Sequence, residues 1–345
     1  MTVSEFLSQK EGRNRISGSC VSLVRSACSA LPLLLLLVFL IRAPETAATA
    51  AREGLLRAGT GILPVLFPFL VLSAYLAEGK GSEAVGRWLG RPFSALFGVT
   101  CGGSTAILLG LFCGFPIGAR ITARLFSAGR IDATERDLLL FLSSGPSFLF
   151  LYSAVGIRLY GSARIGLSLY LSSVLSTLLV GFLASRRQRG AVQKSVSVSA
   201  LPQAAPSGLS RLPSSLASAV SASLGITGAT VFFSVIGAAL HLFLAELRAP
   251  EALSVLLAGL LEFSTGIQNA AETVGGLCGR MLCGCFAGFG GLCAHLQVIA
   301  TAEDPLPDRA DRSEKTPSFR SYIGLKLISG ALSALLFPLL SGGFS

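Results

Sequence analysis

The chain is a succession of apolar runs, many of them long enough to cross a bilayer, separated by short loops in which arginine and lysine collect. A spanning helix needs about 20 such residues, and lipid forbids unpaired backbone, so a chain of this kind folds as helices. The runs cover residues 27–41, 54–77, 92–117, 138–155, 165–184, 216–245, 252–276, 281–300 and 322–340. Charged residues are 13% of the 345, where a soluble protein carries about 25%. With a mean hydropathy of +0.69, the class is an all-α polytopic membrane protein of about eight spans.

The net charge of +10 does not point to nucleic acid, because the basic residues flank apolar runs as cytoplasmic loops do. None of the eight cysteines forms a CxxC pair, and Cys283, Cys285, Cys293 and His295 do not have the spacing of a zinc site. No metal or other cofactor is expected. There is no GxxxxGK[ST] and no HExxH, and an enzyme is not expected.

Residues 1–53 read as a basic cytoplasmic lead, a first span and a connecting loop. A cleaved signal ending in the run TAATAA is the alternative. Residues 54–185 form a first unit, and 186–214, rich in Ser, Pro, Ala and basic residues, a disordered cytoplasmic linker. Residues 215–345 form a second unit. GLFCGF at 110–115 matches GCFAGF at 284–289. Basic residues flank 92–117, whereas the loop 303–320 is slightly acidic. The expectation is therefore two inverted repeats with broken or re-entrant helical hairpins, the first entered from the cytoplasm and the second from the far side, with a substrate near the midplane.

The stretch CGGSTAILLGLFCGFPIGARITAR, residues 101–124, is where function concentrates. Its Cys-Gly-Gly-Ser start reads as a break. Gly110, Gly114 and Gly118 recur at every fourth position and admit a second backbone, while Pro116 removes an amide donor. Arg120 and Arg124 lie one helical turn apart, near Thr122. They either face an anion or snorkel to headgroups. Ser144, Gly145, Pro146 and Ser147 break a second apolar run.

In the second unit, Glu262 sits inside an apolar run, where an unpaired carboxylate costs at least about 2.5 kcal/mol. Ser264, Thr265, Gln268 and Asn269 beside it can bind a substrate or coupling ion; an interfacial amphipathic helix is the plainer alternative. His295 and Gln297 lie two apart and diverge by about 200° on a helix, so they share a ligand only if Gly290 and Gly291 unwind the backbone. A satisfied core histidine is the competing reading.

At GFPIGARITARLFSAGRI (114–131), SSGPSFLF (143–150), LLEFSTGIQ (260–268) and FGGLCAHLQV (289–298), the chain resembles the YlbJ or SpoVV family of sporulation integral membrane proteins. That family is grouped with nucleoside-recognition Gate proteins, which are similar to concentrative nucleoside transporters. The resemblance implies a transporter-like protein that moves dipicolinate, in the outer forespore membrane where the organism sporulates and otherwise in the cytoplasmic membrane. It puts Gly114, Pro116, Gly118, Arg120 and Thr122 on the first Gate motif, Gly145 and Pro146 on the second, and Glu262 and His295 on the last two. Asn is expected in relatives at Ser143, so a carboxamide ligand is missing here. The implied partners are a small-molecule anion and the bilayer. A homo-oligomer is left open. A nucleoside transporter and a non-transporting scaffold of spore development are the alternatives.

Overall fold

The computed structural model describes residues 32–77, 90–188, 208–303 and 318–342. Residues 1–31, Lys80 and Arg87 of the first basic loop, most of the 186–214 linker and the loop 304–317 lie outside the described residues. No strand occurs among the described residues. The protein is an all-α polytopic membrane protein: among the described residues, four helices are long and apolar enough to cross a membrane, or up to six if each of two sharply bent pairs is one span. The count falls below eight because 138–155 and 252–276 are not continuous helices.

Helix α1 (Pro32–Arg42) turns through 106° into α2 (Pro44–Leu56), which continues through a π-helical turn, Arg57–Ile62, into α3 (Leu63–Ala77). Next, α4 (Arg91–Phe97) meets α5 (Cys101–Cys113) at 107°. The break falls at Gly98, with φ 72°, and not within Cys101–Ser104 as the sequence suggested. Thr100 caps α5 by accepting from Gly103 N at 3.1 Å, so the Cys-Gly-Gly-Ser stretch is an ordinary first turn. Gly114, at φ 90°, then reverses the chain into α6 (Phe115–Ser127). A Cβ on Gly102 would lie 2.9 Å from Leu125, so α5 and α6 form an antiparallel hairpin. Pro116 falls in the first turn of α6, where the helix has no use for its amide; it strands no carbonyl there.

Helix α7 (Ala133–Leu142), capped by Asp132, stops at Ser143. After the break a π-helical segment (Phe150–Leu159) leads through Gly161 into α8 (Ala163–Gln188). The second half consists of α9 (Leu212–Glu246), α10 (Glu251–Leu261), α11 (Phe263–Asn269) with a π-helical turn Ala270–Val274, α12 (Gly276–Phe289), α13 (Gly291–Glu303) and α14 (Phe319–Ser341). A Cβ on Gly266 would collide with the Cα of Gly259, so α10 and α11 fold back on each other around Glu262 as a second hairpin.

Each half thus repeats one plan: long helix, hairpin, broken helix, long helix. The halves are inverted. In the first, Glu135 at the start of α7 accepts from Thr100 N at 2.7 Å, so the open end of hairpin α5–α6 lies where α7 begins. In the second, a Cβ on Gly279 would meet Ala270 O at 2.7 Å, so the open end of hairpin α10–α11 lies where α12 begins. These two ends are on opposite faces: α14 runs antiparallel to α8, with Ser168 Oγ donating to Leu340 O at 3.1 Å and Ser176 Oγ 3.1 Å from Ser329 Oγ. Its first turn, beside Ser318, meets Asp137 of α7.

That last contact corrects an expectation. Ser318 N donates to Asp137 Oδ2 at 3.3 Å, so Ser318, where the chain enters α14, lies on the same face as the basic segment around Arg130 and Arg136, not on the opposite one. The stretch 281–300 belongs to the broken helix that crosses back, while the second hairpin is the α10–α11 pair before it. The GLFCGF/GCFAGF match therefore aligns a hairpin tip with a helix break rather than equivalent points of the two repeats. Inversion holds, but through different elements.

Small residues make this packing close. Cβ atoms on either Gly110 or Gly118 would collide with the Ser143 carbonyl, so the break after α7 is wedged between the two arms of the first hairpin. Gly284 and Gly288 let α12 approach α14 at Ser329 and Ser333. Buried serines also join α8 to α12 and α14, as in Ser173 Oγ donating to Ala287 O at 3.0 Å.

Candidate functional site

The two hairpin tips and the two helix breaks converge at the centre. A Cβ on Gly114 would stand 3.1 Å from Ser147 N, and one on Gly291 would stand 2.8 Å from Phe263 N. Between them lies a pocket lined by Cys113, Gly114 and Phe115 of the first tip, Ser147 and Phe150 after the first break, and Glu262, Phe263 and Ser264 of the second tip. Cys293, Ala294 and Gln297 of α13 also line it. Ile62, Leu66, Ile226 and Thr230 close it from the long helices. Non-helical backbone at this depth is tolerated where it faces protein or a cavity, and here it does both.

Glu262 is buried and caps α11. Its carboxylate accepts from Ser264 N at 3.0 Å, Ser264 Oγ at 2.6 Å, Thr265 N at 2.8 Å and Thr265 Oγ1 at 2.7 Å. The carboxylate is thus satisfied by its own helix N-terminus, where the dipole also favours it. The interfacial-helix alternative is set aside by this burial. Arg57, which the sequence reading passed over, donates to Thr265 Oγ1 at 2.6 Å. Arginine and carboxylate are therefore joined through one hydroxyl.

Of the residues expected at the site, Gly114, Ser147, Glu262, Ser264 and Gln297 line the pocket, and Thr265 stands behind Glu262. Of the others, those whose side chains are described do not line it. Arg120 donates to the carbonyl of Ser218 at 3.3 Å and to its hydroxyl, which ties α6 to α9; Arg124 is one turn further toward the open end. Thr122 is buried with its hydroxyl on Gly118 O at 2.9 Å. Gly118 packs against Ser143, and Pro116 is part of the first turn of α6. Gln268 is exposed and donates to Glu272 at 3.0 Å. Gly145 and Pro146 lie within the break but outside the lining, as does buried Ser144. Ser143 turns its hydroxyl back onto Leu139 O at 2.7 Å and is not part of the lining.

His295 and Gln297 diverge as helix geometry requires, because α13 is regular through both. Gln297 faces the pocket, whereas His295 faces away, its Nδ1 2.9 Å from the Tyr322 hydroxyl. Lys326 was missed altogether. It is 1% exposed and donates to the Ser144 carbonyl. The signal was available, since a lone lysine within an apolar closing run is itself a functional flag.

The fold and the pocket define an integral membrane protein with two inverted repeats around a largely apolar pocket that carries a few polar side chains. The chain is similar to the sporulation integral membrane protein YlbJ of Bacillus subtilis (strain 168): it is 24% identical over 339 residues, covering 89% of this chain and 80% of the relative. A likeness over nearly the whole chain supports the family resemblance read from the four motifs. No family model matches the chain, and no solved structure does.

Proposed function

We propose that the chain is a membrane transporter or facilitator of a small organic anion, dipicolinate in the first place, acting in sporulation in the outer forespore membrane. The single observation that carries transport is the pocket lined by both hairpin tips and by residues after both helix breaks, the arrangement in which inverted repeats hold a substrate. The YlbJ likeness supports the link to sporulation. Two apposed tips allow one repeat to rock against the other around a fixed site.

A second reading, an uncharged polar solute such as a nucleoside, is favoured by the pocket wall itself. Glu262, Ser264, Ser147, Thr230 and Gln297 line it together with apolar residues, and no lysine or arginine among the described residues does. The test is uptake of labelled dipicolinate and labelled uridine into vesicles containing the purified protein, beside empty vesicles. Dipicolinate uptake that falls in Gln297→Leu supports the first reading. Uridine uptake alone selects the second, and uptake of neither leaves a scaffold.

A further inference from the structure

A pocket without a cationic side chain poses a problem for an anion, and the next layer of the structure holds one. Lys326 crosses the middle of α14, and among the described residues its ammonium makes one hydrogen bond, to the Ser144 carbonyl, and stands 5.0 Å from the centre of the Phe141 ring. No carboxylate among the described residues pairs with it. An ammonium carries three donors, and burying one without a counter-charge is costly.

Two further buried polar atoms stand beside it without a hydrogen-bond partner, Ser144 Oγ and His295 Nε2, on residues 4% and 1% exposed. With Nδ1 accepting from the Tyr322 hydroxyl, Nε2 carries the imidazole proton and is a donor. The Phe289 carbonyl lies near the imidazole, and the Tyr322 hydroxyl near Ser144 Oγ, without closing hydrogen bonds to these atoms. Three donors from α14, α13 and the first break thus gather where no protein anion answers them. The group adjoins the pocket along the chain: His295 follows Ala294, and Ser144 precedes Ser147 by three residues.

We propose that Lys326, Ser144 Oγ and His295 Nε2 form a binding site for one small anion, either free chloride or a carboxylate of the transported solute. The link to a transported solute rests on the anion reading above; the site itself does not. Lys326 supplies the charge, and the hydroxyl and imidazole N–H supply direction. Occupancy ties the first break to α13 and α14, and so couples the two repeats at the point where they must move.

The experiment uses the full chain purified in detergent and chloride-free buffer, titrated with sodium chloride, sodium acetate or dipicolinate, with sodium gluconate as the ionic-strength control. The thermal midpoint against concentration gives an apparent dissociation constant. At least one probe is expected to stabilise the wild type saturably, with affinity falling about tenfold or more in Lys326→Met. Ser144→Ala removes a hydroxyl that closes no hydrogen bond by geometry, keeps the charge of Lys326, and is expected to weaken binding about fivefold. Unchanged affinity in both variants, or no stabilisation of the wild type by any probe, overturns the site. Dipicolinate binding equally to wild type and variants leaves the transport reading standing and removes the site. Lys326-dependent binding of chloride or acetate without dipicolinate does the reverse.

Discussion

Gly259 and Gly266 touch backbone to backbone across the second hairpin, with Phe286 of α12 packed against both. The turn at Glu262 leaves no room between the arms for a side chain. Gly266→Ala is therefore expected to destabilise the protein by about 1–3 kcal/mol, as overpacking does, and to lower its thermal midpoint in detergent. Gly225→Ala in α9, where a Cβ meets nothing within 4 Å, should leave the midpoint unchanged or raise it, by up to about 1 kcal/mol of helix propensity.

Glu262 accepts four hydrogen bonds from Ser264 and Thr265, so its carboxylate is occupied as a helix cap before any solute arrives. Glu262→Ala should cost about 0.5–2 kcal/mol of stability. Glu262→Gln keeps one acceptor oxygen and should cost less.

The arginine that matters to the pocket is expected to be Arg57 rather than Arg120. Arg57 reaches Thr265 Oγ1 and through it Glu262, while Arg120 is spent on Ser218 of α9. Losing a charged hydrogen bond is worth about 1.5–3 kcal/mol, so Arg57→Gln should lower uptake by about tenfold or more. Arg120→Gln should mainly loosen the α6–α9 contact. Uptake assays on both variants at equal membrane expression decide between them.

What could be read from the sequence was set by local chemistry. An apolar run interrupted by Gly114 or by the Ser143–Ser147 cluster announces a helix break wherever it sits, and Glu262 in an apolar run announces a polar interior. The glycine spacing at Gly110 and Gly118 also foretold a close backbone, and the structure identifies it as Ser143. What was not legible depended on partners far along the chain. Arg57 meets Thr265 across 208 positions and Lys326 meets Ser144 across 182, and nothing in either neighbourhood names the other. Arg120 is the same case: its contact with Ser218 spans 98 positions, and nothing beside either residue names the other.

The face on which each loop lies is the sharpest test of the inverted plan. Hairpin α5–α6 opens on the face where α7 begins, and Ser318 bonds Asp137 on that same face. Hairpin α10–α11 opens on the other face, where α9 ends and α12 starts. The acidic lean of the 303–320 loop argued for the far side, but acidic residues contribute little to orientation, and a packed contact outweighs them. The exposed positions Ala128, Ala252 and Ser318 report the faces. In a background lacking the native cysteines, Ala128→Cys and Ser318→Cys are expected to react with a membrane-impermeant maleimide from one side, and Ala252→Cys from the other. Labelling of Ser318→Cys together with Ala252→Cys, and apart from Ala128→Cys, would break the arrangement. The α8–α14 antiparallel pair could not then stand as described.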